Sequence, residues 1–392
     1  MPEVLVIGGD IYPFARYKDG SNLRDWSRAA IAGALRDADI DAADLDAVVV
    51  GMESDHLALQ LSPGALLADN AGILNIPVER VEAGGASGAA AVRNGYAKIR
   101  AGLARSVLVL GAEHAASHLR GPDTGFIYGL SFDADFDGFA GLTPANLYAL
   151  SIAAHQRRYG TTEAQMAAVS VKNRANAVGN PSAHTPSEIG IQDVMTSQVV
   201  SAPYKRLDCS PLSDGAAAIV LAADDWAPVR SPEAVRITGS GSANDSVRLG
   251  DRQDPGVFAA KTRAALQAYD AAAVTKPANE IDVAEVYDAF TGAEIQALEA
   301  LGFSAPGGAG RDVESGRFGP SGRLPVNVSG GLIGQGGAPG AVGVAQIVTL
   351  ARLLAGRHSN QPAGPSFRTG LADAHGGIGT VCVVHVLEKI TR

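Results

Sequence analysis

NVSGGLIGQGGAPGAVGV (Asn327–Val344) leaves a short apolar stretch, crosses a run of glycines and enters a helix of small residues. Seven glycines lie between Ser329 and Gly343, far more than a turn requires. The same chemistry occurs near the other end of the chain in VEAGGASGAAA (81–91). Each stretch reads as strand, glycine turn, then tightly packable helix. A helix start carries unpaired N–H groups and a partial positive charge, and glycine lets a ligand approach that backbone closely. The plain alternative is a turn that packs a helix onto a sheet. Neither stretch has the G-x-G-x-x-G spacing with a later acidic residue, nor a nucleotide loop ending in Gly-Lys-Ser/Thr.

Working outward, the elements around the two turns recur in order. Val4–Gly8 and Val235–Gly239 read as first strands, and Leu45–Val50 and Val283–Tyr287 as second ones. Ser106–Gly111 and Thr380–Leu387 read as buried strands after the helices, and Asp214–Leu221 returns to the first sheet. This order predicts an α/β fold built from a duplicated unit of roughly 200 residues. The expected halves are 1–225 and 226–392. The pattern breaks at about 116–200, which reads as an inserted cap over a site. Within it, His118–Leu142 reads as loop. Thr143–Tyr159 and Thr162–Ala177 read as helices, with Pro144 in a first turn, a cap at Thr161 or Thr162, and a break at Asn180–Pro181.

The chain has 392 residues, 46% of them apolar, which suits a large core. Aromatics are scarce at 5% while glycines number 47, a composition for helices packed closely on sheets. A net charge of −9 without a basic stripe argues against nucleic acid. No apolar run approaches the ~20 residues that cross a bilayer, and MPEVLVIGGD does not read as a secretory leader, so a cytoplasmic protein is expected. Cys209 and Cys382 form neither a disulfide framework nor a metal spacing, and read as small buried hydrophobes.

These motifs resemble the thiolase superfamily, especially sterol-carrier-type thiolases and their divergent relatives. VEAGGASG (81–88) is similar to the nucleophile loop, YGTTEAQMAAVSVKNRANAVGNPSA (159–183) to the cap, and LDCSPLSDGAAAIVL (207–221) to the strand closing the first half. EVYDAFTGAEIQALEALGF (285–303) resembles the His-Asp-Cys-Phe segment, and NVSGGLIGQGGAPGAVGVAQ (327–346) the segment ending Gly-His-Pro. The resemblance implies a thiolase fold, with two pseudo-duplicated α/β halves in a five-layer αβαβα arrangement. It also implies a coenzyme A thioester as substrate, no tightly bound cofactor, no metal, and a homodimer. A small zinc-ribbon/OB-fold protein is the further partner it implies.

The departures decide the chemistry. Gly85 stands where the family has its nucleophilic cysteine. Tyr287 and Ala289 replace the histidine and second cysteine, and Gly337 replaces the histidine of Gly-His-Pro. Thiolysis needs an acyl-enzyme on an activated thiolate, which glycine cannot form. An aldol or retro-aldol reaction needs none. Tyr287-Asp288-Ala289-Phe290-Thr291 resembles the Tyr-Asp-x-Phe-Thr context of thiolase-fold aldolases in steroid degradation, a branch of lipid metabolism. Those aldolases carry a second tyrosine where Gly337 stands here.

The expected acid/base residues are therefore Tyr287 and His375, with Asp288 beside them either in the chemistry or hydrogen-bonded to backbone. Gly85, Ser87, Gly336, Gly337 and Gly377 are expected to hold substrate, with backbone N–H groups at Gly85 or Gly337 as enolate donors. His114 and His118 face the site or an interface, and His385 reads as a sheet residue. The function expected is carbon–carbon cleavage of a β-hydroxyacyl-CoA. The alternatives are a non-catalytic acyl-CoA-binding or scaffold subunit, and an acetyl-CoA acetyltransferase by resemblance only.

Overall fold

The structure is a computed structural model that describes residues 1–226, 234–362 and 366–390. Its first half contains β1 (Val4–Ala15), α1 (Leu23–Ala38), β2 (Ala47–Gly51), α2 (Pro63–Asn70), β3 (Val78–Val81), α3 (Ser87–Arg100) and β4 (Ser106–His114). The insertion follows, with α4 (Gly121–Gly129), α5 (Pro144–Tyr159) and α6 (Glu163–Ala177), before β5 (Asp214–Ala223). The second half contains β6 (Val235–Asn244), α7 (Ala259–Ala272), β7 (Val283–Glu285) and α8 (Thr291–Ala300). It ends with α9 (Gly331–Gly334), α10 (Pro339–Ala355), β8 (Thr369–Gly376) and β9 (Val381–Lys389).

The strand order is β3-β2-β4-β5-β1-β6-β9-β8-β7. Only two residue pairs, Leu5 with Arg236 and Val6 with Val235, join β1 to β6. The sheet is therefore two half-sheets touching at one edge. Each half runs in the same sense: β2 and β4 are parallel, as are β7 and β8, and β5 and β9 return antiparallel between them and the first strand. The place of β3 is taken in the second half by Val326, bridged in parallel to Ala284.

This order corrects one sequence expectation. The counterpart of β4 is β8, not the strand read over Thr380–Leu387, which instead matches β5. TGLADAHG (369–376) has too many polar residues and glycines to read as a buried strand. It becomes one because Asp373 and His375 are buried against partners. A second correction falls in His118–Leu142, read as loop, where α4 and a single π-helical turn at Ala134–Gly138 form. The helical readings around it hold. Thr143 and Asn146 make the reciprocal cap of α5, and Thr162 and Gln165 make that of α6.

Five layers result. Helices α1 and α2 cover the outer face of the first half-sheet, and α7 and α8 that of the second. Helices α3 and α10 lie back to back between the half-sheets, in a layer of Val, Ile, Leu and Ala. Small residues are what permit this central layer. A methyl on Gly343 would stand 2.2 Å from Ala89 N, and one on Gly88 2.6 Å from Gly340 O. The glycines read as turns thus serve equally to bring two helix backbones together and to hold both of their starts on one side of the molecule.

Candidate active site

The C-terminal ends of the parallel strands and the starts of α3 and α10 meet beneath the insertion, and a cavity of about 680 Å³ opens there. Gly85, Tyr287, Ala289, Gly337, His375 and Gly377 all line it. The two glycine turns therefore converge on one place. The insertion contributes Tyr128, Phe132 and Tyr148, and the rim carries Arg16, Arg206 and His184.

The turn at 83–87 is closed by Ser87. Its Oγ accepts from Ala83 N at 2.9 Å and donates to Gly84 O at 2.6 Å. Ser87 is fully buried and lies outside the cavity wall, so its expected contact with substrate gives way to a structural one. At Gly85 the decisive geometry appears. A Cβ built there would lie 2.2 Å from the Tyr287 hydroxyl and 2.7 Å from the His375 carbonyl oxygen. The phenol occupies the space in which a residue-85 side chain would stand. Gly85→Cys is therefore expected to destabilise the protein by about 1–3 kcal/mol through overpacking and to restore no thiolysis. Thermal melting with a thioester-trapping assay checks both parts.

His375 lies at the end of β8, its ring 4.6 Å from that of Tyr287. The Lys261 ammonium pairs with Asp373 and lies 3.0 Å from His375 Nδ1. An ammonium only donates, so Nδ1 accepts and the ring proton sits on Nε2. Nε2–H then donates to the Tyr148 hydroxyl at 2.6 Å, and Tyr148 donates to Gly377 O at 2.9 Å. Burial, with Lys261 and Arg252 nearby, holds His375 well below the ordinary histidine range. The expectation of an acid/base His375 is corrected on this ground: it is neutral and both nitrogens are engaged. It fixes Tyr148 and backs Tyr287.

Asp288 is turned away from the cavity. It accepts from Leu332 N at 2.6 Å and Ile333 N at 3.3 Å, at the start of α9, and from Asn173 Nδ2 at 2.7 Å. Burial first, then Glu294, pushes its carboxyl up to about 7. The backbone-holding reading of Asp288 fits and the catalytic one does not. Gly336 also lies off the wall, its φ of +120° explaining the glycine. Gly337 lines the cavity, but its N–H donates to Pro211 O at 3.0 Å and its carbonyl accepts from Ser213 N. It is therefore not a free enolate donor.

Other expectations resolve by position. Cys209 and Cys382 are buried free thiols, each pushed up to about 12, chiefly by burial. His114 packs against Trp26 and His118, outside the cavity wall. His385, on β9, is bonded to Ala89 O of α3 at 3.0 Å. Among the described residues no group of three metal-ligating side chains exists, and no helix is long and apolar enough to cross a membrane.

Sequence reasoning missed Glu53, Tyr128, Tyr148 and the Lys261–Asp373 pair. Glu53 had one available signal: it follows the VVVG run of β2, where parallel strands present ligand-binding residues. Tyr148 and Lys261 sit within helical patterns and carried none.

The model of the thiolase N-terminal domain matches residues 4–202, and that of the thiolase C-terminal domain-like family matches 241–389. The chain belongs to the thiolase family. It is 36% identical over 390 residues to an acetyl-CoA acetyltransferase of Methanothermobacter thermautotrophicus, covering 99% of this thiolase-family chain and 100% of that one. It is 29% identical to sterol carrier protein 2 of Bos taurus, over 90% of this chain and 66% of that protein. Among solved structures, the Ltp2-ChsH2(DUF35) aldolase aligns at a TM-score of 0.84 and 24% identity, over 100% of this chain and 99% of the other. A monomeric SCP2-thiolase-like protein of Mycobacterium smegmatis aligns at 0.76 and 19% identity, over 100% of this chain and 78% of the other. These two likenesses speak for the thiolase fold.

Proposed function

We propose that this thiolase-family protein binds an acyl-CoA and breaks or forms a carbon–carbon bond of a β-hydroxyacyl-CoA by retro-aldol or aldol chemistry, without an acyl-enzyme. One observation carries the reading: the Tyr287 hydroxyl fills the space before Gly85 where a nucleophile would project. The cavity retains a wall suited to an acyl chain, with phenols in place of thiol and imidazole. Tyr287 is held well above the usual phenol range by burial, then by Tyr148, Glu53, Asp288 and Glu113. It therefore stays protonated at neutral pH and acts as a donor to the oxygen of the reacting carbonyl. The backbone N–H of Gly85 is a second donor, for the thioester enolate, and Gly377 completes the substrate-facing wall.

An aldolase among the structural neighbours, named with a DUF35 component, supports the reaction class and a protein partner, which we propose to be a small zinc-ribbon/OB-fold protein. A homodimer is part of the same proposal, with β3 as an edge strand open on one side. The names of the sequence relatives favour an acyltransferase. That reaction needs a nucleophile, and neither buried thiol lines the cavity.

The test is a panel of β-hydroxyacyl-CoA thioesters, with and without a co-expressed partner. A released aldehyde or ketone is the expected product. Intact-mass analysis is expected to find no acyl adduct, and iodoacetamide is expected to leave the rate unchanged. Release of nothing across the panel favours a scaffold role, and a thioester-linked adduct defeats the non-covalent reading.

A further inference from the structure

Retro-aldol cleavage requires a base, and the groups considered so far do not supply one. Tyr287 holds its proton, His375 has both nitrogens engaged, and Asp288 faces elsewhere. One carboxyl does reach the cavity. Glu53 stands just beyond β2 and lines the wall with Gly85, Tyr128 and Tyr287.

Beneath it lies Glu113, wholly buried near the end of β4. Its Oε2 accepts from Glu53 N at 2.7 Å and from Gly340 N, in the first turn of α10, at 3.2 Å. Its Oε1 has no hydrogen-bond partner among the described residues, nor has Glu53 Oε2. Arg80, the cation that acts on Glu113, is engaged elsewhere: it pairs with Asp55 at 3.0 Å and donates to Met52 O. Two close buried carboxyls whose one facing cation is paired elsewhere do not both ionise. The deeper Glu113 is pushed well above the carboxylate range by burial and by Glu53. Glu53 is pushed up to about 7 by burial and Glu82, with Tyr128 opposing. The groups facing the pair are thus Arg80, Glu82, Tyr128, Tyr148 and Tyr287.

We propose that Glu53 is the proton-transferring base of this cavity, taking the proton of the substrate's β-hydroxyl, with Glu113 as the positioning residue beneath it. The inference rests on the carbon–carbon cleavage reading above. The O–H proton passes to the Glu53 carboxylate, and its electron pair becomes the second bond of the new carbonyl. The Cα–Cβ bond breaks and its pair moves onto the thioester as an enolate. Glu53 then returns the proton to Cα, giving an aldehyde or ketone and a shortened acyl-CoA. Nothing else is consumed.

The experiment compares wild type with Glu53→Gln in two assays: cleavage of β-hydroxyacyl-CoA thioesters, and exchange of the Cα protons of butyryl-CoA in D₂O. Circular dichroism and melting first establish that the variant folds. Glu53→Gln is expected to lower kcat/KM for cleavage and the exchange rate by about 100-fold or more, with KM little changed. The wild-type rate is expected to rise as pH passes upward through about 7, because the base form is the deprotonated one. Cleavage that survives in Glu53→Gln within about threefold overturns the role of Glu53 and leaves the proposed reaction standing. Exchange lost in the variant, with no cleavage by either protein, supports Glu53 and defeats the retro-aldol reading. Absence of both activities in wild type defeats both. If Glu53→Gln does not fold, Glu53→Ala takes its place in both assays, and a rate within about threefold of wild type overturns the assignment.

Discussion

Lys261→Met is expected to destabilise the protein by about 3–5 kcal/mol, the cost of leaving one partner of a buried ion pair alone. Lys261 and Asp373 are each fully buried, on α7 and β8 of the second half. The ammonium is also the donor that sets the His375 tautomer, so its loss releases Tyr148 as well. Asp373 keeps only the N–H of Tyr287 at 3.3 Å. Its carboxyl is already raised by burial against the opposing pull of Lys261, and without Lys261 it rises further. A carboxyl whose folded affinity for protons exceeds its unfolded one gives stability that is lost as pH rises. The deficit of the variant is therefore largest at neutral pH and shrinks as pH falls toward the unfolded carboxylate range near 4. Urea denaturation at several pH values measures it. Adding Asp373→Leu should recover most of the loss, because an apolar pair removes the stranded charge. A Lys261→Met protein as stable as wild type would show that the pair contributes nothing to the fold.

Tyr287→Phe is expected to lower kcat/KM for β-hydroxyacyl-CoA cleavage by about 100-fold or more while the affinity for the CoA thioester stays within a few-fold. The ring remains to pack against His375, at 4.6 Å between centroids, so the fold should be preserved. What disappears is the hydroxyl in front of Gly85 and, with it, the proposed donor to the reacting oxygen. Steady-state kinetics and thermal melting separate the two effects. A changed KM with an unchanged kcat would mean that the hydroxyl merely shapes the wall. An unchanged rate would remove Tyr287 from the chemistry.

The fold was legible because its devices are local. Glycine turns into small-residue helices occur twice, and each is preceded by strand-like runs in the same order. Pro144 in a first turn and a cap at Thr161 or Thr162, which falls on Thr162, could be read from residue type and spacing alone. The strand TGLADAHG escaped because its polar residues find partners only from other elements: Lys261 on α7 and Tyr148 on the insertion. A pattern within one segment carries no trace of such pairing. Glu53 escaped for a related reason. A glutamate at a strand end usually faces water, and only burial beneath the insertion, with Glu82 nearby, makes it a different acid.

Taken by itself, the sequence determined the α/β duplication, the family and the absence of a sulfur nucleophile at residue 85, since each depends on which residues stand in line. Tertiary structure alone decided what fills the vacated space and which groups can move a proton. Tyr287 reaches Gly85 from the other half of the chain, and proton affinity at His375, Asp288 and Glu53 is set by burial and by charges that the fold brings near.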